Sequence, residues 1–336
     1  MQLLAWYALL ALASTALVWR GSDVLENAAN RLAIYYGLPA IVQGAVLAAV
    51  GSSTPELLTA VLAPLLHDEF ELGLAAILGS AIFNILVIPA LAVLATPGGL
   101  TASRDIVYKE AQFYLIAVAV FLLTLSFAVI YFPTGSNGMG GVVTPLLALL
   151  PLATYGLYVF IQYQDTIEYD APEYTMRIRP TREWGLLLGS FVLIFLGVEG
   201  LIRAAIGFGD FFGTPSFVWG LTVIAAATSL PDAFVSIRAA QRHRDVTGIA
   251  NVFGSNVFDL LVAVPAGVLV AGGAVIDFAR AAPLLGFLVF ATVTLFTLLR
   301  TDLELERWEA HALLGLYVAF VAWLVLETVG YLGFIP

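Results

Sequence analysis

The sequence predicts an all-α polytopic membrane protein whose ten transmembrane helices form two inverted five-helix repeats. Three observations carry that expectation. Of 336 residues, 61% are hydrophobic and only 11% are charged, against roughly 25% charged in an ordinary soluble domain. The chain divides into ten apolar segments, each near the roughly 20 residues needed to cross a bilayer as a helix. One half of the chain also repeats the other.

The first five segments run 2–30, with an amphipathic last third, then 38–65, 72–96, 111–132 and 142–163. A polar stretch at 164–183, dense in charge and proline, separates them from 184–205, 214–240, 246–272, 280–300 and 309–334. Residues 1–163 are therefore expected to form the first repeat, 164–183 a connecting loop and 184–336 the second repeat. The opening MQLLAWYALLALASTALVW resembles a signal-peptide core, but it lacks a basic leader and a small-residue cleavage site, so it is read as the first membrane helix.

The repeat is direct. LPAIVQGAVLAAVGSSTPELLTA at 38–60 aligns without a gap with TPSFVWGLTVIAAATSLPDAFVS at 214–236, an offset of 176. AAILGSAIFNILV at 75–87 matches ANVFGSNVFDLLV at 250–262, an offset of 175. Five spans is an odd number, so the second copy enters the membrane from the other side, the arrangement by which transporters build a site at the bilayer midplane. Lysine and arginine favour cytoplasmic ends. An outside N-terminus puts 12 of the 14 basic residues on the inner side, leaving only Arg203 and Arg280 outside. Both termini are thus expected to be extracellular and the central loop cytoplasmic, in a multi-pass cell-membrane protein.

Composition narrows the chemistry. There is no cysteine, so disulfides and thiolate metal sites are excluded. His67, His243 and His311 are scattered near predicted membrane boundaries, which argues against a histidine-based metal cluster. A formal net charge of -10 argues against nucleic-acid partners. Ion chemistry is left to oxygen.

The repeated motifs supply that oxygen. A proline within a helix removes a donor and frees a carbonyl of the preceding turn, and inside a membrane such carbonyls persist only where they line a cavity or bind a ligand. Pro55 does this beside Ser52, Ser53 and Glu56, and Pro231 does it beside Thr228, Ser229 and Asp232. In the second motif of each half, Ser80 and Asn84 are four apart, as are Ser255 and Asp259, so each pair shares a helix face. Gly79 and Gly254 are expected to let another helix approach closely. The pooled set of three carboxylates, one amide and a ring of hydroxyls suits a hard cation such as calcium or sodium. Three unpaired carboxylates at membrane depth would cost on the order of 8 to 10 kcal/mol, at roughly 2.5 to 3.5 each. No lysine or arginine lies in the motif cores. Cations or protons must neutralise the acids, and a site that always needs one or the other is suited to exchange.

GSSTPELLTA with GSAIFN, and ATSLPDAFVS with GSNVFD, resemble the two alpha-repeats of the cation/calcium antiporter superfamily, the sodium/calcium exchangers. The resemblance implies ten helices, a midplane site, and exchange of sodium ions for calcium with the first and sixth helices sliding across a fixed core. It implies Glu56 and Asp232 as the central calcium carboxylates, and Ser53, Ser80, Ser229 and Ser255 as hydroxyl ligands for sodium. Ser52 and Thr228 would contribute backbone or hydroxyl oxygens, Ala49 and Ala225 carbonyls, and Asn84 and Asp259 would complete the ring. No cofactor is implied. Asp232 in place of a glutamate, Ala81 where an asparagine is frequent, and Asp259 look like the potassium-dependent branch.

Other residues carry weaker expectations. Asp23 and Glu199 are equivalent at an offset of 176 and read as wetted helix-end carboxylates or as groups on the ion pathway. Gln43 and Trp219 are expected to pack between helices, and Asn251 to hydrogen-bond a broken helix. GFGD at 207–210 with Tyr169-Asp170 matches an intramembrane aspartyl protease signature, but the predicted topology puts the two aspartates on opposite sides. A proton/calcium exchanger is the nearer alternative. The hydroxyl-rich ring speaks against it, since proton coupling needs only titrating acids.

Overall fold

The structure of the protein is a computed structural model. It describes residues 1–36, 49–96, 99–104, 106–135, 139–164, 178–242, 245–301 and 303–330. In chain order the helices are α1 (Gln2–Tyr35), α2 (Ala49–Ser52), α3 (Thr54–His67), α4 (Phe70–Leu86), α5 (Ile88–Leu94), α6 (Ala111–Tyr131), α7 (Pro145–Gln164) and α8 (Pro180–Phe212). Then come α9 (Ser216–Trp219), α10 (Ala225–Thr228), α11 (Leu230–Gln241), α12 (Asp245–Phe258), α13 (Val264–Ala271), α14 (Phe278–Arg300) and α15 (Arg307–Thr328). Among the described residues, nine helical stretches are long and apolar enough to cross a membrane. The segment expected at 38–65 lies partly outside the described residues, and its remainder is the broken pair α2 and α3.

Two short strand pairs accompany the all-α framework. Strands β1 (Leu100–Thr101) and β4 (Glu304–Leu305) pair antiparallel, as do β2 (Gly140–Val143) and β3 (Ala274–Asp277). Both ribbons lie between helix ends, where β-branched runs such as Val142-Val143 and Val275-Ile276 satisfy their backbone groups against each other. The expected segment 184–205 was also too short, because α8 continues to Phe212 and stops at Gly213 with φ 65°. The extension IGFGDFF at 206–212 is still largely apolar, and the helix carries on through Gly207, Gly209 and Asp210. Within α8, Glu199 pairs both with Arg203 and with His67 of α3, and the charged pair does not stop the helix.

The breaks follow the prolines. Pro55 and Pro231 each occupy the first turn of the helix that follows, where a missing N–H is harmless. The joints fall on Ser53 and Ser229, whose carbonyls accept from Leu57 and Ala233 at 3.0 Å each. A π turn at Gly220–Ile224 precedes α10, and another at Asp259–Ala263 separates α12 from α13. Such wide turns often accompany functional sites.

Burial sorts the helices. The apolar windows of Phe70–Leu94 and Gly248–Ala271 are each 83% buried, whereas those of α1, α7 and α15 are 17%, 22% and 28% buried, so the motif helices form the centre and the others the lipid-facing rim. Two separate hydrophobic clusters result. The larger joins α4 to α7 with α11 to α15. The smaller is built around α1 and α8, through Val18, Leu25, Ile194, Val198 and Leu201.

Gly79 is the tightest crossing near the centre. A Cβ there would stand 2.2 Å from the Leu221 carbonyl oxygen and 2.7 Å from the Ala225 Cβ, so α4 and the Gly220–Ile224 turn touch backbone to backbone as expected. Gly254 does not play the same part, since its Cβ would meet only the Tyr158 hydroxyl at 3.8 Å. Gly79→Ala should therefore lower the melting temperature by several degrees, through overpacking of about 1 to 3 kcal/mol. Gly254→Ala should leave it near the parent value. Equal melting of the two variants in detergent would contradict this packing.

Candidate cation site

The four motif segments converge. Ser52, Ser53, Glu56, Ser80, Asn84, Thr228, Ser229, Asp232, Ser255, Asn256 and Asp259 are each at most 2% exposed, though they come from sequence positions up to two hundred residues apart. Bonds cross between the halves at every level. The Ser80 and Ser229 hydroxyls hydrogen-bond each other at 2.8 Å, and those of Ser52 and Ser255 at 3.3 Å. The Asn84 amide donates to Asp232 Oδ2 at 3.4 Å and to Asn256 Oδ1 at 3.0 Å, while the Asn256 amide donates to the Ala81 carbonyl at 3.1 Å.

The three acids are treated unequally. Asp232 accepts from Ser255 at 3.0 Å, Asn251 at 3.2 Å and Asn84 at 3.4 Å. Glu56 accepts from Ser80 at 3.4 Å through one oxygen, and its other oxygen has no partner. Neither oxygen of Asp259 forms a hydrogen bond; the Ser53 hydroxyl is adjacent and equally unpartnered. The Asn84 carbonyl oxygen is also left over. Buried polar atoms without partners cost about 1 to 3 kcal/mol each, and here they are all oxygens concentrated in one place. A bound cation would satisfy them together.

Among the described residues, no three histidine, cysteine or acidic side chains form a ready-made metal cluster. The acids are instead spaced by hydroxyls and the Asn84 amide, close enough that Glu56 lies in the fields of both Asp232 and Asp259. With no basic side chain among them, the set carries three negative charges whenever all are ionised.

The remaining expected residues are placed as follows. Ala225 begins α10, and its carbonyl already accepts from the Ser229 N–H at 3.1 Å and the Thr228 hydroxyl at 3.4 Å. Ala49 begins α2. Asn251 hydrogen-bonds the broken helix α11, through the Asp232 carboxylate. Trp219 packs on Phe208 and Phe212, with ring centroids 4.8 and 5.4 Å away, whereas Gln43 lies outside the described residues. So do His243, Tyr169 and Asp170; Asp210 borders a cavity with Tyr7, His67 and Arg203. His311 is engaged by the Arg307 carbonyl. Sequence reading missed Asn256, the centre of the amide chain. Its signal was the interruption of the repeat, an amide opposite Ala81.

Asp23 and Glu199 hold opposite ends of the α1–α8 pair to the rest. Glu199 accepts from Arg203 at 2.6 Å and lies 3.0 Å from His67 of α3. Asp23 pairs with Arg20 at 3.1 Å and more loosely with Arg238 of α11 at 3.9 Å. Beside Asp23 opens a cavity of about 350 Å³, lined by Trp19, Glu26, Asn27, Pro231 and Arg238, which reaches the residue next to Asp232.

Known proteins agree with this architecture. The chain is 26% identical over 306 residues to a membrane protein of Methanocaldococcus jannaschii, covering 91% of this chain and 94% of that one. Its fold is similar to that of the sodium-calcium exchanger NCX_Mj, at a TM-score of 0.62 and 22% identity over 95% of this chain and 98% of the other. It is also similar to the H+/Ca2+ exchanger CAX, at a TM-score of 0.73 and 15% identity over 96% of this chain and 82% of the other. The sequence pattern of the sodium/calcium exchanger protein family matches residues 6–164 and 182–326, spanning both sets of converging motifs. The chain is a multi-pass membrane protein of the sodium/calcium exchanger family.

Proposed function

We propose that this protein is a secondary active antiporter that exchanges sodium ions for calcium, by alternating access at the buried site between its two halves. The single observation that carries the reading is the set of unpartnered buried oxygens on Glu56, Asp259, Ser53 and Asn84, facing acids with no basic neighbour. Glu56 and Asp232 would provide two charges for calcium. The hydroxyls of Ser53, Ser80, Ser229 and Ser255, with Ser52, Thr228 and the carbonyls of Ala49 and Ala225, would provide neutral oxygens for sodium.

Exchange follows from competition. Calcium and sodium draw on the same carboxylates, whose charge does not satisfy both sets at once. A filled site is electrically quiet and lets α1 and α8 slide past it, whereas an empty one carries bare charge against an apolar surface. The α1–α8 pair suits this motion, because the two helices pack closely on each other, with Gly21 against Ile194 and Gly197 against Val18, and can keep that packing while their contact with the centre changes. In this reading the protein has ten spans in two inverted repeats, 1–163 and 184–336, with both termini outside and the 164–183 loop inside the cell. Its ligands are the ions and its surroundings the lipid bilayer. Ion pairs join residues assigned to the same face, Arg280 with Glu71 at 3.1 Å outside and Arg31 with Glu183 at 3.4 Å inside, as that topology requires.

The test is calcium-45 uptake into proteoliposomes holding the purified chain. An outward sodium gradient should drive uptake, and its reversal should reverse the flux. Flux that ignores sodium and follows a pH gradient would make this a proton/calcium exchanger, and flux indifferent to both would make it a channel. Potassium coupling is the second arm, favoured by Asp232 and Asp259: a shorter acid leaves room for a larger co-ion. Calcium flux unchanged by removing potassium discards it.

A further inference from the structure

One acid beside the site belongs to neither repeated motif. The cavity of about 350 Å³ against α1 is lined by Glu26 together with Asp23, Arg238 and Pro231, the last of which adjoins Asp232. At about 30 Å³ per water, it has room for a hydrated cation. Glu26 also borders the first joint: a Cβ added at Gly51 of α2, next to Ser52, would stand 3.6 Å from the Glu26 Cα and 3.9 Å from its Cγ. Its side chain therefore touches the first motif and lines the cavity that reaches the second.

The charge of Glu26 is unmet. Asp23 pairs with Arg20 at 3.1 Å and with Arg238 at 3.9 Å, and the Arg238 side chain is 59% exposed. Among the described residues Glu26 forms no hydrogen bond and no ion pair, although it lies in the fields of Asp232, Asp23 and Arg238. The second repeat has no acid here. At the same offset of 176 stands Ile202, wholly buried in the cluster around α1 and α8. The cavity near the other end of that pair sets Asp210 beside Arg203 and His67, so its acid has bases for company. An apolar residue thus satisfies the fold at the equivalent place, and a carboxylate near Asp232 adds repulsion that a passing cation offsets.

We propose that Glu26 is the capture residue of the inner access route, drawing calcium into the cavity and passing it to Asp232 and Glu56. A cleft carrying one sign of charge raises the local concentration of its counter-ion. The inference rests on the exchanger reading and on its topology, which puts Arg238 and Arg242 inside, and adds to them an attraction that works from one face of the membrane only.

The experiment uses Glu26→Gln and Glu26→Asp in the full chain. Sodium-driven calcium-45 exchange is measured in inside-out and right-side-out membrane vesicles, with the flux of vesicles lacking the chain subtracted. In the glutamine variant, half-saturating calcium on the inner face should rise roughly tenfold, the low end of what a charged cleft contributes. Half-saturating sodium there should rise only about threefold, because a divalent ion feels twice the pull. On the outer face both should stay within about twofold, since no steering charge has changed there. Added inert salt should narrow the inner-face gap, because screening weakens a charge that acts across open water. Aspartate should restore most of the parental value, and neither variant should melt below the parent in detergent. No inner-face shift, an equal shift on both faces, a gap that salt leaves unchanged, or a glutamine variant that melts well below the parent overturns the proposal. A parent chain without sodium-driven calcium flux removes the exchanger reading itself, and this inference with it.

Discussion

Calcium exchange by Glu56→Gln should fall to the background of protein-free vesicles, a loss of roughly 100-fold or more, while the protein still folds. Glutamine keeps the length and volume of the side chain and removes one charge of the two assigned to calcium. Withdrawing one partner from a buried charge interaction typically costs about 3 to 5 kcal/mol, about two to three and a half powers of ten in affinity. Stability should move little or upward. In the absence of cations Glu56 is repelled by Asp232 and Asp259 and leaves one oxygen unbonded, so a neutral amide relieves more than it removes. The paired measurement is calcium-45 flux and melting in cation-free detergent. Parental exchange rates in the variant would end the assignment of Glu56.

Asp232→Ala should differ in kind, losing both transport and stability. Asp232 is the acid that holds the network together, accepting from Ser255, Asn251 and Asn84. Alanine takes away the acceptor shared by the Ser255 hydroxyl, the half-buried Asn251 amide and the Asn84 amide, and opens a cavity, at a cost of roughly 2 to 4 kcal/mol when the side chains relax in part. That corresponds to a melting temperature several degrees lower. Asp232→Asn retains one acceptor oxygen and should fall between the parent and alanine in stability, with transport still absent. An alanine variant that melts with the parent would mean these three donors are satisfied some other way, and that the network described here does not hold the folded state.

The contrast between the two acids was not visible in the sequence, where Glu56 and Asp232 stand at matching positions beside matching prolines. In the folded chain, the serine pairings break the symmetry. Ser80 meets Ser229, whose counterpart is Ser53, yet Ser255 meets Ser52 instead. The shift of one residue leaves the Ser53 hydroxyl unpartnered beside Asp259. A one-residue difference in hydroxyl choice depends on how two joints are rotated against helices from the other half, and no local pattern encodes that rotation.

The sequence by itself determined the membrane class, nearly every helix, the two proline joints and the residue types at the centre. These are local or compositional properties: apolar length sets a span, a missing N–H sets a break, and a four-residue spacing sets a shared face. Tertiary structure alone decided which hydroxyl serves which acid, that Asn256 reaches the same centre, and that α8 runs on through Gly207 and Gly209 to Phe212. Each of those is a contact between segments distant in sequence, fixed by packing such as that of Gly79 against Leu221, and packing is a property of surfaces that only exist once the chain has folded.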